Sequence, residues 1–247
     1  VPTDQTGWYD WIKQFDPLEP RDISSPGAMI YTSGTTGRPK GVRRKSGTPD
    51  EMDNLYETIN QAFDIGPGKR TIIPAPLYHS APNTYGILCV VMGMDEMVLM
   101  PRFDPEDLLR LIEKHKTTHL QTVPTMFIRM LKLPEEQRAK YDVSSLEFVV
   151  HAAAPCPPDI KQQMIDWWGP IINEYYGATE VGAVSFLDSN QWLGHRGSVG
   201  KAMKNCEIVI LDDDGRRLPA NEIGDVYCRN MGGPDFCLLY TSPSPRD

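Results

Sequence analysis

Tyr31-Thr32-Ser33-Gly34-Thr35-Thr36-Gly37-Arg38-Pro39-Lys40-Gly41 is the stretch on which the reading of this chain turns. It holds four aliphatic hydroxyls, three glycines and a lysine. Ala28-Met29-Ile30 precedes it and reads as the end of a buried strand. Glycine lets the backbone approach a ligand closely and adopt positive φ. Successive N–H groups in such a turn form an anion-binding concavity. The hydroxyls add donors, and Lys40 adds a point charge suited to phosphate. On its residues the stretch is a phosphate-gripping loop or a Gly/Thr-rich surface turn. It is not the common nucleotide loop, whose second glycine would fall on Pro39 when counted from Gly34.

Outward from this loop, three further stretches carry chemistry. In Tyr175-Tyr176-Gly177-Ala178-Thr179-Glu180, Gly177 permits a tight turn after a strand. Thr179 offers a hydroxyl to a phosphate, Glu180 a hard oxygen for Mg²⁺, and Tyr176 a face on which a base can stack. A capped helix entry with a surface glutamate is the plainer account of the same residues. Ala152-Ala153-Ala154-Pro155 is a loop of small side chains, fit for a flat ring or for tight packing on a sheet. Pro76-Leu77-Tyr78-His79-Ser80 places His79 after a strand, as a functional group or a hydrogen-bonded structural one. Ser33 lies in no Gly-x-Ser-x-Gly elbow, so a hydrolase reading is poor.

Taken in this order, the stretches resemble the AMP-forming adenylating enzymes. That superfamily includes acyl-CoA synthetases, firefly-type luciferases and the adenylation domains of peptide synthetases. Its Ser/Thr-Gly-Thr-Thr-Gly-x-Pro-Lys-Gly core runs unbroken from Ser33 to Gly41, and the resemblance covers about residues 25–236. It implies that Thr32, Ser33, Gly34, Thr35, Thr36, Gly37 and Lys40 hold the phosphates of ATP. It implies that Ala152, Ala153 and Ala154 line the adenine pocket and that Tyr176 and Gly177 pack near the base. Thr179 would contact the α-phosphate and Glu180 would hold Mg²⁺. The implied catalytic set is Lys40, Thr179, Glu180 and His79. The implied reaction has two steps: a carboxylate attacks ATP to give acyl-AMP and pyrophosphate, then coenzyme A takes the acyl group. In this family a Phe/Tyr-His pair guards the acyl and thiol path, where amino-acid activators carry Asp. Tyr78-His79 therefore favours an acid without an α-amino group, whether fatty, steroid or aryl. Amino-acid activators, luciferase-like enzymes and a nucleotide-binding, non-catalytic remnant stay open as alternatives.

The bulk composition agrees with an ordinary globular chain. Of 247 residues, 40% are hydrophobic and 23% charged, with net charge −8; an acidic balance argues against a general nucleic-acid surface. No apolar run approaches the ~20 residues of a membrane-spanning helix. Val1-Pro2-Thr3-Asp4-Gln5 has neither a basic nor an apolar region, so no secretory leader is expected. Cys89, Cys156, Cys206, Cys228 and Cys237 form no Cys-x-x-Cys pair and are odd in number. Unpaired thiols in the reducing cytoplasm are the simplest account, and no clustered Cys/His spacing suggests zinc.

Along the chain, apolar runs alternate with helical patterns. Thr48-Pro49-Asp50-Glu51 carries a capping box and opens a helix to about Phe63, after a solvated charged segment over Val42–Gly47. Strands are predicted at Thr71–Ile73, Met97–Met100, His119–Val123, Phe148–Val150 and Ile171–Tyr175, with Met97–Met100 buried. Helices are predicted from Asn83 to about Met92, from Asp104, from Pro124 and over Pro158–Trp168. The expected fold class is α/β: parallel-sheet layers with helices on both faces, and ligands at the carboxyl ends of the strands. Met126 and Met130 read as core. His115, His119 and His195 read as core or surface, and His151 is placed to shape the alanine loop.

From Gly197 the texture changes to a small antiparallel β unit, with a hairpin signal at Asp213-Asp214-Gly215. The expected division is a partial nucleotide-binding core over 1–196, the start of a β subdomain over 197–236, and a tail over 237–247. That tail resembles translated read-through of a sequencing adaptor and is expected to be non-native. The family's later Thr-Gly-Asp motif and its C-terminal lysine find no match here. The chain is therefore expected to be an incomplete piece of the family's large N-terminal domain, inactive alone, with an apolar helix face around 83–92 exposed.

Overall fold

A computed structural model of the chain describes residues 10–16, 29–32, 40–44, 47–231 and 236–239. Local chemistry explains its clearest helices. In α1 (Pro49–Phe63) the Thr48 hydroxyl accepts from the Glu51 N–H, and the Glu51 carboxylate accepts from the Thr48 N–H at 2.7 Å. Two otherwise orphaned donors are thereby satisfied. In α3 (Pro105–His115) the Asp104 carboxylate accepts from the N–H groups of Glu106 and Asp107, both at 3.0 Å. The face formed by Leu108, Leu109, Leu111 and Ile112 is buried.

The remaining elements of the main layer are β3 (Arg70–Ile73), α2 (Ser80–Val91), β4 (Glu96–Leu99), β5 (His119–Thr122), α4 (Pro124–Leu131), α5 (Glu135–Arg138), β6 (Phe148–His151), α6 (Pro158–Trp168), β7 (Ile172–Ala178), β8 (Gly182–Leu187), α7 (Ser189–Gly194) and β9 (Lys201–Ala202). The seven-stranded sheet runs β4-β3-β5-β6-β7-β8-β9. Its pairs from β4 to β7 are parallel, and β7–β8 and β8–β9 are antiparallel. Successive strand residues point to opposite faces, so two cores form. Ile72 and Val149 join Leu108, Phe127, Met164 and Trp192 on one face. Ile73 and Val150 join Phe63, Tyr85 and Tyr175 on the other. Helices thus cover both faces, as a buried parallel sheet requires.

Two small antiparallel sheets complete the fold. One joins β10 (Cys206–Leu211) to β11 (Asp225–Asn230), the β unit predicted after Gly197. The turn at Asp212–Gly215 returns only as far as Arg217, which bridges Leu211, and β11 comes later. The other sheet has the order β1-β2-β12, from β1 (Met29–Thr32), β2 (Lys40–Arg44) and β12 (Phe236–Leu239). Residues 237–239, set apart in the sequence as part of the tail, pair with β2.

Several expectations need correction. Met29 and Tyr31 are exposed, so β1 is not a buried strand end. Much of Val42–Gly47 is strand, with Val42 buried. Met97–Leu99 lies on the sheet edge, with Leu99 exposed, because among the described residues β4 has a neighbour on one side only. Helix α2 begins at Ser80, three residues before Asn83. Strand β8 and helix α7 are not among the elements expected from the sequence. The outer face of α2 is exposed at Ile87, Val90 and Val91, as expected. Among the described residues no helix is long and apolar enough to cross a membrane.

His119 is buried at the amino end of β5, with Nε2 3.0 Å from Asp64 Oδ2. Burial holds its imidazole below the ordinary 6.5. Burial pushes the Asp64 carboxyl up, but hydrogen bonds from Lys69 and His119 outweigh this and leave it below 3.8. Both groups bind protons more readily in the unfolded chain, so both withdraw stability as pH falls. His119 does so below about pH 6.5 and Asp64 only below about pH 4. Urea unfolding at a series of pH values should show stability declining from about pH 7 to pH 5. His119→Gln keeps a donor for Asp64 and removes one titrating group, so it should make that decline shallower.

Candidate functional site

The carboxyl ends of β3, β6 and β7 meet on one side of the sheet, and the segments that follow them build the site. After β3, the chain turns so that the His79 N–H donates to the Pro76 carbonyl at 3.2 Å. His79 then stands at the N-cap of α2 without a side-chain cap bond. It is exposed, its ring 4.6 Å from that of Tyr78. Ser80 points inward, and its Oγ lies 3.1 Å from Oγ1 of Thr179. That hydrogen bond ties the start of α2 to the far end of β7.

After β6, Ala152 turns into the core while Ala153 and Ala154 stay exposed. Ala153 has φ 73°, in the left-handed region that disfavours a Cβ. Strand β7 alternates: Glu174 faces α6, Tyr175 is buried against Phe63 on the opposite face, and Tyr176 is exposed. The predicted turn at Gly177 is instead a continuation of the strand. Gly177 pairs with Ala183 of β8 across an irregularity in register, and the chain reverses at Thr179–Val181. A Cβ on Gly177 would overlap the Gly182 carbonyl oxygen and sit 2.9 Å from Ala183 Cα. Glycine is needed there for close approach of the backbones, not for a turn.

These segments enclose a cavity of about 280 Å³ between α1, α2 and the β7–β8 hairpin. Ala153, Gly177 and Thr179 line it, with Leu55, Ile59 and Phe63 supplying an apolar wall. Glu180 is half-buried in the turn beside Thr179. Ala152, Ala154, Tyr176 and His79 flank the cavity without lining it. Thr32 and Lys40 are register partners in the β1–β2 pair, and a second hollow lies between β1 and the Leu77–Tyr78 segment. Ser33, Gly34, Thr35, Thr36 and Gly37 lie outside the described residues. The stretch between β1 and β2 thus joins two strands of the separate antiparallel sheet, not of the parallel one.

The sequence reading missed Ser80 and the apolar wall from α1. Ser80 stood next to His79 in a stretch already singled out; the wall looked like any buried helix face. Among the described residues no group of three His, Cys, Asp or Glu side chains could hold a metal. A Mg²⁺ bound through one carboxylate and substrate phosphates needs no such group, so Glu180 fits that donor set. Chemically, the site offers small side chains for a flat ring, a hydroxyl pair at one end and an apolar chamber beyond.

Comparison with known proteins shows the family and the fold. The model of the AMP-binding enzyme family matches residues 2–233. A long-chain-fatty-acid–CoA ligase of Bacillus subtilis is 30% identical over 86% of this chain, and the match spans 37% of that protein. ATP-bound MatB from Rhodopseudomonas palustris superposes with a TM-score of 0.70 at 25% identity, covering 87% of this chain and 41% of that one. The o-succinylbenzoate CoA synthetase MenE of Bacillus subtilis, bound to its product analogue OSB-NCoA, gives 0.70 at 27% identity over 86% and 42%. The chain spans about two fifths of the length of these proteins.

Gly177→Ala should force β7 and β8 apart. Its expected cost is at least the ~1–3 kcal/mol of an overpacked site, read as a lower urea midpoint. Gly194→Ala, which meets nothing within 4 Å, should leave the midpoint nearly unchanged and serves as the control.

Proposed function

This chain belongs to the AMP-binding enzyme family, and from that premise we propose that it forms the nucleotide-binding part of an AMP-forming acid–CoA ligase. The carboxylate of the acid attacks the α-phosphorus of ATP, releasing pyrophosphate and leaving acyl-AMP. The thiol of coenzyme A then attacks the acyl carbon, and AMP departs. One observation carries the reading: the Ser80–Thr179 hydrogen bond closes the ends of β3 and β7 around a cavity that Ala153 and Gly177 also line. The ATP-bound and product-analogue-bound relatives support ATP and coenzyme A as the co-substrates.

In this reading Ala152–Ala154 and Gly177 accept the adenine, with Tyr176 on its face. Thr179 bonds the α-phosphate. Lys40 and the N–H groups of the Thr32–Gly37 loop hold the outer phosphates. Glu180 holds Mg²⁺, which offsets phosphate charge when bound. The protein's part in the first step is positioning and charge neutralisation at the reacting phosphorus. The apolar wall of Leu55, Ile59 and Phe63, with Tyr78-His79 where an amino-acid activator carries an acidic anchor, supports a carboxylic acid lacking an α-amino group.

ATP–pyrophosphate exchange by the whole ligase of which this chain would be the nucleotide-binding part, assayed with a panel of acids, tests the reading. Fatty, steroid or aryl acids should stimulate exchange and amino acids should not; the opposite pattern would overturn the substrate class. Glu180→Gln should lower exchange by about 10²-fold at limiting Mg²⁺ while leaving the urea midpoint in place. Unchanged kinetics under those conditions would remove the metal role from Glu180.

A further inference from the structure

On the face of the sheet covered by α4, α6 and α7, opposite the cavity, lies a charged cluster with no part in the chemistry above. Lys161 is fully buried, and its Nζ lies 2.7 Å from Glu174 Oε2. The ammonium sits over the Trp192 ring, 5.2 Å from its centre. His151 is also fully buried, edge-on to Phe127, with Nε2 3.5 Å from the same Glu174 oxygen. Neither of its ring nitrogens has a hydrogen-bond partner among the described residues. Burial and the Lys161 charge hold the His151 imidazole well below its ordinary range, so at neutral pH it adds no second cation.

A buried ion pair is a poor source of net stability, because desolvation of both charges offsets their attraction. Its position suggests what it does instead. His151 is the last residue of β6, and Lys161 lies on the first turn of α6. Between them runs the loop 152–157, which contains the left-handed Ala153. Both stems of that loop therefore meet one carboxylate. Glu174 is in register with His151 in the sheet and stands two residues before Tyr176. A strained residue such as Ala153 persists only where its surroundings over-determine it.

We propose that Glu174 is a positioning residue: paired with Lys161 and packed on His151, it fixes the Ala152–Ala154 loop and the Tyr176–Glu180 hairpin as one unit. The positioning stands on geometry alone; its consequence for ligand binding rests on the nucleotide reading. Since Glu174 faces away from the cavity, any effect on ligand must travel through the backbone of β7 and the stems of the loop.

The test uses the double variant Lys161→Met/Glu174→Leu, which replaces the pair by apolar side chains and should fold at least as stably. Two quantities are read: amide hydrogen exchange of the nucleotide-free protein, and binding of a fluorescent ATP analogue. Exchange should accelerate about tenfold in peptides over 152–157 and 176–181 together, with α3 (105–115) unchanged as control. Analogue affinity should fall by a similar factor. Unchanged exchange, or a rise in one of the two segments alone, overturns the proposal. Accelerated exchange in both segments, with a wild-type protein that does not bind the analogue, upholds the positioning and overturns the nucleotide reading. Should the double variant fail to fold, Glu174→Gln removes the charge while keeping an acceptor for Lys161. It should loosen the same two segments, and full protection there overturns the proposal equally.

Discussion

The backbones of Gly177 and Gly182 approach so closely that no Cβ fits between them. Much of the site follows from that contact. It lets β8 turn back on β7 at the one place where the sheet changes from parallel to antiparallel. The reversal leaves Thr179 at the tip, within hydrogen-bond reach of Ser80 at the start of α2. It also lays Val181 and Ala183 along the wall of the cavity, opposite α1. A parallel continuation would have carried the chain into another crossover helix, and the cavity would have had no such wall. A hydroxyl pair at the mouth and an apolar chamber behind it are thus both products of one glycine's missing side chain.

What could be read from the sequence is what is decided by near neighbours. The Thr48–Glu51 capping box, the Asp104 cap and the stripe from Leu108 to Ile112 are all fixed within a few residues, and each was found where expected. The segments carrying Ala153 and Thr179 stood out for the same reason, since their residue types are unusual in a short span, whereas the turn expected at Gly177 is strand. Contacts between distant segments were not. Nothing in Met97–Leu99 tells that β4 has a neighbour on one side only among the described residues. No strand was expected over Gly182–Leu187, whose partner is β7. Ser80 and Thr179 lie 99 residues apart, and Lys161 looks like a solvated helix lysine until Glu174 is placed beneath it.

The sheet's two faces differ in how completely they are closed. The face under α3, α4, α6 and α7 is sealed by large side chains, among them Phe127, Met164, Trp168 and Trp192. On the other face α2 buries Tyr85, Leu88 and Cys89 but turns Ile87, Val90 and Val91 outward, 53–65% exposed. A helix that is apolar on every side is ordinarily buried. Beside it β4 leaves a strand edge with Leu99 exposed. Together they make this flank the most aggregation-prone part of the described fold, since an open edge and an apolar patch are each a template for association.

The local departures from good folding practice are not scattered. Ala153 takes a left-handed backbone, and the Lys161–Glu174 pair is desolvated beneath it. His151 is buried with neither nitrogen hydrogen-bonded among the described residues, and Gly177 weakens a strand interior to let β8 in. All four lie at or next to the carboxyl ends of β6 and β7. Sequences that fold well keep local preference, packing and polar satisfaction in agreement, and depart from that agreement at functional sites. A scaffold serving stability alone would place an apolar side chain at 161 and 174 and a glycine at 153. Each of those choices would relax the segment that lines the cavity. Stability is conceded where the position of a backbone matters most, and the well-packed far side, from Leu108 to Trp192, supplies the surplus that makes the concession tolerable.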